Sequence, residues 1–157
     1  MFYPHKLFAT VNFPYICSML TRKTKYGLKA LAHIAGLEDN KPVQIGTISK
    51  CENISHKYLE SILLELKKSG ILGAKKGKGG GYYLLRDAKD VWMVEVIRLL
   101  EGPIAPLPCV SLNFYEKCDD CPDETTCSVH KLMIQVRDKT LDVFKNTNLA
   151  DLVIRKT

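Results

Sequence analysis

The sequence predicts a mainly α fold with a small β-wing: a winged helix-turn-helix domain followed by a long C-terminal dimerisation helix. Three observations predict it. Two helical patterns lie on either side of a tight turn near Asn53 and Ser55. A glycine-rich hairpin signal, GKGGG between two apolar runs, follows them at once. A strongly periodic apolar pattern then runs from Val129 to Phe144.

Residues 21–36 read as a helix, with Leu28, Leu31, Ala32 and Ala35 at helical spacing, Thr21 or Thr24 as cap and Gly36 as stop. Residues 45–53 form a short helix. Ser55 is expected to cap a longer one, in which Leu59, Ile62, Leu63 and Leu66 make a core stripe and Gly70 closes the end. This second helix ends in the basic pair Lys67–Lys68. Next, ILGAKK and YYLL flank the GKGGG tip, where glycines permit positive φ and close backbone approach. The tip is no phosphate-binding P-loop, because it lacks G-x-x-x-x-G-K-[ST] and follows a helix-turn-helix rather than a strand. Residues 91–101 form another apolar helix ending at Gly102. Pro103, Pro106 and Pro108 mark a boundary.

In the last helix Val129, Leu132, Met133, Val136, Thr140, Val143 and Phe144 share one stripe. A chain this small has little spare core to cover it, so a second copy is expected there. The alternative is packing onto the helix at 91–101. The expected units are therefore a winged domain at 19–102, a cysteine loop at 103–128, and a dimerisation helix with tail at 129–157. Residues 1–18 fit none of these and read as a leader before a true start at Met19, or else as a native arm. Pro4 and Pro14 interrupt the leader, Lys6 is its only Lys or Arg, and it has no cleavage site of the secretory kind.

Net charge is +6, from 23 Lys and Arg against 17 Asp and Glu, with a pI near 9.0. That balance fits a nucleic-acid partner, although a solvated basic surface also produces it. No apolar run reaches the ~18 residues of a membrane span. Six cysteines without a signal peptide place the chain in the cytoplasm, where clustered thiols bind metal or sense redox state.

Cys109, Cys118, Cys121 and Cys127 crowd together, and His130 lies one helical turn past the last. Thiolates are soft ligands, suited to iron–sulfur clusters, zinc or copper(I). Four cysteines, or three with His130, or three with a carboxylate such as Asp119, would each complete a set. A C-x2-C pair with a further Cys and His also makes a tetrahedral zinc site. Cys51, by contrast, is expected to be a small buried residue, Cys17 lies in the leader, and His33 lines a helix face. A thiol-redox enzyme is the weakest reading, because C-x-x-C chemistry belongs near a βαβ pattern. No Ser-His-Asp set or convincingly spaced carboxylate pair appears, so the chain does not read as an enzyme.

The runs KYGLKALAHIA, NISHKYLESILLELKKSGIL and GKGGGYYLL resemble the Rrf-two family of winged-helix regulators, of the IscR, NsrR, RirA and CymR type. The resemblance covers nearly everything from Met19 to Thr157. It implies a homodimer on double-stranded DNA at a palindromic operator, usually as a repressor. It also implies, for many members, an iron–sulfur cluster, 2Fe–2S or 4Fe–4S, that senses iron, oxygen or nitric oxide; others have none. A same-fold regulator with structural zinc or a small-molecule effector is the alternative. The C-x5-C-x5-C pattern of IscR-like members would put a cysteine at 115, where this chain has Tyr115; Cys118 and Cys109 are the substitutes.

A recognition helix presents its N-terminal residues to base edges in the major groove. Here those are Ser55, His56, Lys57, Tyr58, Glu60 and Ser61. Lys57 suits a guanine, Glu60 a cytosine amine and Tyr58 a phosphate. The resemblance implies a role for Glu60 in sequence choice. The alternative for Glu60 is an ion pair with Lys57 or Lys67. The wing tip, Lys75, Lys76, Lys78 and Gly79 to Gly81 including Gly80, is expected near the minor groove or backbone. Arg22, Lys23, Lys25 and Tyr26 are expected to add phosphate contacts.

Overall fold

The computed structural model describes residues 20–37 and 40–153. The expected leader at 1–18, with Cys17, lies outside them. Helix α1 (Arg22–Ala35) begins where the Thr21 hydroxyl accepts the Thr24 N–H at 3.4 Å, which makes Thr21 the cap. Helix α2 (Ile45–Glu52) ends on Asn53, whose φ of 53° is left-handed. The following turn is stapled on both sides: Ile54 N–H donates to Ser49 O at 3.0 Å, and Ser49 Oγ–H to Ile54 O at 2.6 Å.

Helix α3 (His56–Lys68) buries Leu59, Ile62, Leu63 and Leu66 completely. Removing such a side chain from water contributes roughly 1.5–3 kcal/mol. Its end is a Schellman turn. Gly70 takes φ +79°, its N–H donates to Lys67 O, and Ile71 N–H donates to Leu66 O, both at 3.1 Å.

Strands β1 (Leu72–Lys75) and β2 (Gly81–Leu84) pair antiparallel, with Leu72 opposite Leu84 and Lys75 opposite Gly81. A third segment joins them. Val43 and Tyr82 exchange backbone bonds of 2.9 and 2.8 Å just before α2. The Asn40 amide imitates one more strand partner, donating to Leu84 O at 2.8 Å and accepting Leu84 N–H at 3.0 Å.

Helix α4 (Met93–Glu101) lies tight on α1. A Cβ on Gly27 would stand 2.4 Å from Leu100 Cδ1, so glycine allows the approach.

After the connector, helix α5 (Ser128–Lys145) spans 18 residues, about 27 Å at 1.5 Å per residue. Its far end is tied to the winged domain, with Met93 N–H donating to Thr147 O at 2.9 Å and Leu149 N–H to Val91 O at 2.8 Å. Leu149 enters the core with no exposure. Inside the chain α5 packs through Leu141 and Phe144, and Leu141 lies off the predicted stripe. Val129, Leu132, Val136 and Val143 stay 53, 54, 39 and 59% exposed. The predicted stripe is thus divided: Phe144 faces inward and most of the rest faces out. Among the described residues no helix is long and apolar enough to cross a membrane.

Candidate nucleic-acid interface and cysteine loop

Because the leucines anchor one side of α3, the other side is solvent-facing. Ser55, His56, Lys57, Tyr58, Glu60 and Ser61 are all exposed on it. Ser55 occupies the N-cap position, but its side chain makes no capping bond. Ser61 turns its hydroxyl back to Tyr58 O at 2.8 Å. The Tyr58 ring meets Tyr26 of α1 edge-on, with centroids 5.8 Å apart and planes at 81°, which locks α1 to α3. Glu60 pairs with neither Lys57 nor Lys67 among the described residues. Burial, with the Glu60 charge in second place, pushes the Tyr82 phenol of β2 up, so wing and recognition helix share one electrostatic neighbourhood.

Arg22 and Lys25 are exposed at the start of α1. Lys23 is not free for phosphate as expected, because it is bound to Glu65 at 2.8 Å. At the wing tip Lys75, Lys76, Lys78 and Gly79 are exposed. Gly80 is buried. Its N–H donates to Gly77 O at 2.9 Å, and a Cβ there would stand 2.2 Å from Lys75 O. Gly81 would likewise meet Val43 O at 2.2 Å. These two glycines shape the tip, and the lysines occupy its surface. Two expectations are corrected here. Cys51 is exposed rather than buried, because α2 buries only Ile48. His33, read from the sequence as a lone histidine lining a helix face, is on α1 but has a partner, since its Nδ1 lies 3.2 Å from Glu52, which also holds Lys29 at 3.1 Å.

The cysteine loop starts on a tight turn at Pro108–Val110, where Cys109 is 5% exposed. Glu116 N–H returns to Pro108 O at 3.4 Å and brings the chain back over that turn. The Cys118 thiol is perturbed by Cys109. Its bond with Cys109, then burial, then the charges of Cys109, Asp120 and Glu124, push it up to about 11. A second tight turn is built on Asp123, which accepts Thr125 N–H at 2.9 Å and Thr125 Oγ–H at 2.8 Å, and which those bonds hold below the usual carboxylate range. Burial, then the bond with Cys127, then the charges of Cys127 and Cys118, raise the Cys121 thiol. Cys127 is the N-cap of α5, its sulfur accepting His130 N–H at 3.4 Å.

Tyr115, at the place of the expected cysteine, donates its hydroxyl to Glu124 at 2.9 Å. Asp119 is exposed. Cys118 is thus influenced by Cys109, and Cys121 by both Cys127 and Cys118, whose carbonyl also accepts the Cys121 N–H at 3.4 Å. As they stand, no three His, Cys, Asp or Glu side chains among the described residues converge to hold a metal ion. The donors nevertheless fit a soft centre in kind: four thiols share one loop, and His130 Nδ1, on the first turn of α5, is buried without a partner.

Two contributors escaped the sequence reading. Arg137, 13% exposed, donates from Nη1 to Val110 O at 2.7 Å and fastens α5 to the turn that carries Cys109. A guanidinium next to the apolar stripe was its only signal. Glu101 accepts bonds from Thr21 N–H at 3.0 Å, from Thr21 Oγ–H at 2.9 Å and from the Thr24 hydroxyl. Burial works to raise its pKa, but these bonds and the Lys23 charge outweigh it and hold the carboxyl below its usual range.

Comparison with known proteins agrees with this architecture. The family model described as "Rrf2: Iron-dependent Transcriptional regulator" matches residues 20–155. An rrf2-like HTH-type transcriptional regulator of Rhodobacter capsulatus is 39% identical over 138 residues, which is 86% of this chain and 92% of that protein. The HTH-type regulator IscR of Vibrio campbellii is 29% identical over 134 residues, 85% of this chain and 76% of that protein. The solved structure of CymR, the global cysteine regulator of Bacillus subtilis, superposes with a TM-score of 0.71 at 28% identity, covering 85% of this chain and 94% of that one. Fold and relatives alike are those of winged-helix regulators rather than enzymes. The chain belongs to the Rrf2 family of transcriptional regulators.

Proposed function

We propose that this chain is a cytoplasmic, homodimeric repressor that holds a palindromic DNA operator according to the state of an iron–sulfur centre in its cysteine loop. The observation that carries this reading is the His130 Nδ1, buried without a partner on the first turn of the helix that Cys127 caps. An unsatisfied buried nitrogen costs about 1–3 kcal/mol, and a ligand bond removes that cost. Cys109, Cys118, Cys121, Cys127 and His130 are the residues that would hold the centre, as 2Fe–2S or 4Fe–4S. The iron dependence in the family description supports iron. When bound, such a centre supplies a redox state and a lability toward oxygen or nitric oxide.

The chain's own residues do the rest. Cys127 and His130 sit on the first turn of α5, so a constraint on them acts on a rigid helix. Arg137 ties that helix to the Cys109 turn, and Thr147 and Leu149 tie its far end to Met93 and Val91. Val129, Leu132, Val136 and Val143 offer the second copy an apolar face. Movement of α5 against its partner then changes the separation of the two α3 helices, which operator half-sites fix. On each half-site Lys57 and Glu60 read bases. Tyr26, Arg22, Lys25, Lys76 and Lys78 hold backbone.

Absorption of anaerobically purified protein, with iron, sulfide and zinc assayed on the same sample, tests the centre. Visible absorption with matched iron and sulfide is the predicted result. A colourless protein with stoichiometric zinc would replace the sensor by a structural site.

A further inference from the structure

A cavity of about 80 Å³ lies between the end of α4, the proline connector and α5. A buried water needs roughly 10–15 Å³ of such space, so a solute of several heavy atoms fits. Ile97, Ile104, Ala105 and Phe144 give it apolar walls, and Glu101 and Arg137 line it together. Pro103 and Pro106 on the same wall are exposed, so the cavity opens to solvent.

Both charged groups are held in place by other partners and keep bonding capacity. The bonds that Glu101 accepts from Thr21 and Thr24 all fall on Oε2. A carboxylate has about four lone-pair sites, so Oε1 can still accept. Arg137 engages three of its five N–H donors: Nη1 with Val110 O at 2.7 Å, and Nε and Nη2 with Asp138 at 2.8 and 2.7 Å. Two donors remain. Glu101 and Arg137 make no ion pair with each other. Opposite charges that share an apolar cavity without pairing suit a solute with both charges of its own.

We propose that this cavity binds an α-amino acid with a small apolar side chain. Its ammonium donates to Glu101, its carboxylate accepts from Arg137, and its side chain lies against Ile97, Ile104 and Phe144. Charge-assisted bonds at both ends fix its orientation, and the apolar walls exclude a charged side chain. Held in this way, the ligand bridges the last helix of the winged domain to α5. The site uses no thiol, so the inference goes beyond the proposed iron–sulfur centre and does not depend on it.

The test is isothermal titration calorimetry of the full chain, purified without oxygen, with L-valine as the probe. Saturable binding of one valine per chain is expected. Isobutylamine lacks the carboxylate and isovalerate lacks the ammonium, and each should bind weaker by about tenfold or more. Valine should weaken by a similar factor in Glu101→Gln, which keeps the shape and loses the charge, and in Arg137→Met. Ala105→Leu adds bulk to the wall and leaves both charges in place. It should lose valine binding while its ligand-free melting midpoint shows a folded chain. Absence of saturable valine binding would overturn the inference. So would isobutylamine or isovalerate binding as tightly as valine, or valine affinity unchanged in both charge variants. None of these readings involves iron, so failure here is distinct from failure to find the centre.

Discussion

Glu60 stands exposed on α3, unpaired with its neighbouring lysines, and its charge reaches Tyr82 of the wing. An acceptor kept free in this way suits base reading. Glu60→Gln should lower discrimination at one base pair by about 1–3 kcal/mol, measured by competition between operator variants. Unchanged discrimination would return Glu60 to the solvated surface. Lys76 at the wing tip should act otherwise. Lys76→Ala should weaken binding to every sequence alike and reduce the salt slope by about one, read from affinities over a range of salt. A loss of preference at constant overall affinity would contradict that role. The exposure of Glu60 was legible in the sequence because a strong apolar stripe on α3 also defines its opposite face. That of Cys51 was not, because thiols are buried more often than exposed and a short helix with one core residue gives little periodicity. The Lys23–Glu65 and His33–Glu52 pairs were hidden too, since their partners lie on other helices.

Between elements, the start of α1 and the end of α4 are joined by Glu101 with Thr21 and Thr24. Thr24 is fully buried, so Thr24→Val keeps the shape and removes the hydroxyl's contacts with Glu101 and Thr21. It should cost about 1–3 kcal/mol, seen as a lower urea midpoint at unchanged slope. Because Glu101 is held below its usual 4.5, it binds fewer protons folded than unfolded. Its stabilising contribution is therefore complete above that value and is lost as pH falls through the lowered one. Glu101→Gln should abolish that part of the acid sensitivity; an identical acid profile in both proteins would exclude it. The helices and the hairpin were readable from periodicity and glycine. The Val43 bridge and the Asn40 clamp were not, because a single bridging residue carries no period. Nor did spacing show the Pro108 and Asp123 turns of the cysteine loop, which backbone and carboxylate bonds close.

For the whole molecule, the long helix was predicted with its apolar stripe, but Leu141 makes the internal contact and leaves Val129, Leu132, Val136 and Val143 outward. Which neighbour takes which part of a stripe is a tertiary matter that one chain's periodicity does not contain. If a second copy covers the outward face, Val136→Glu should give monomers in light scattering and weaken operator binding by at least tenfold, with the helical spectrum retained. A dimer of unchanged affinity would move the interface elsewhere. If the loop's centre governs DNA affinity through α5, removing the centre must change operator binding. The most direct measurement is fluorescence anisotropy on a duplex selected in vitro from random sequence. It compares the anaerobically purified, metal-loaded chain with the same preparation stripped and kept reduced. Operator affinities should differ by about tenfold or more between the two forms, with similar affinity for random DNA. Equal operator affinity in both forms would contradict it.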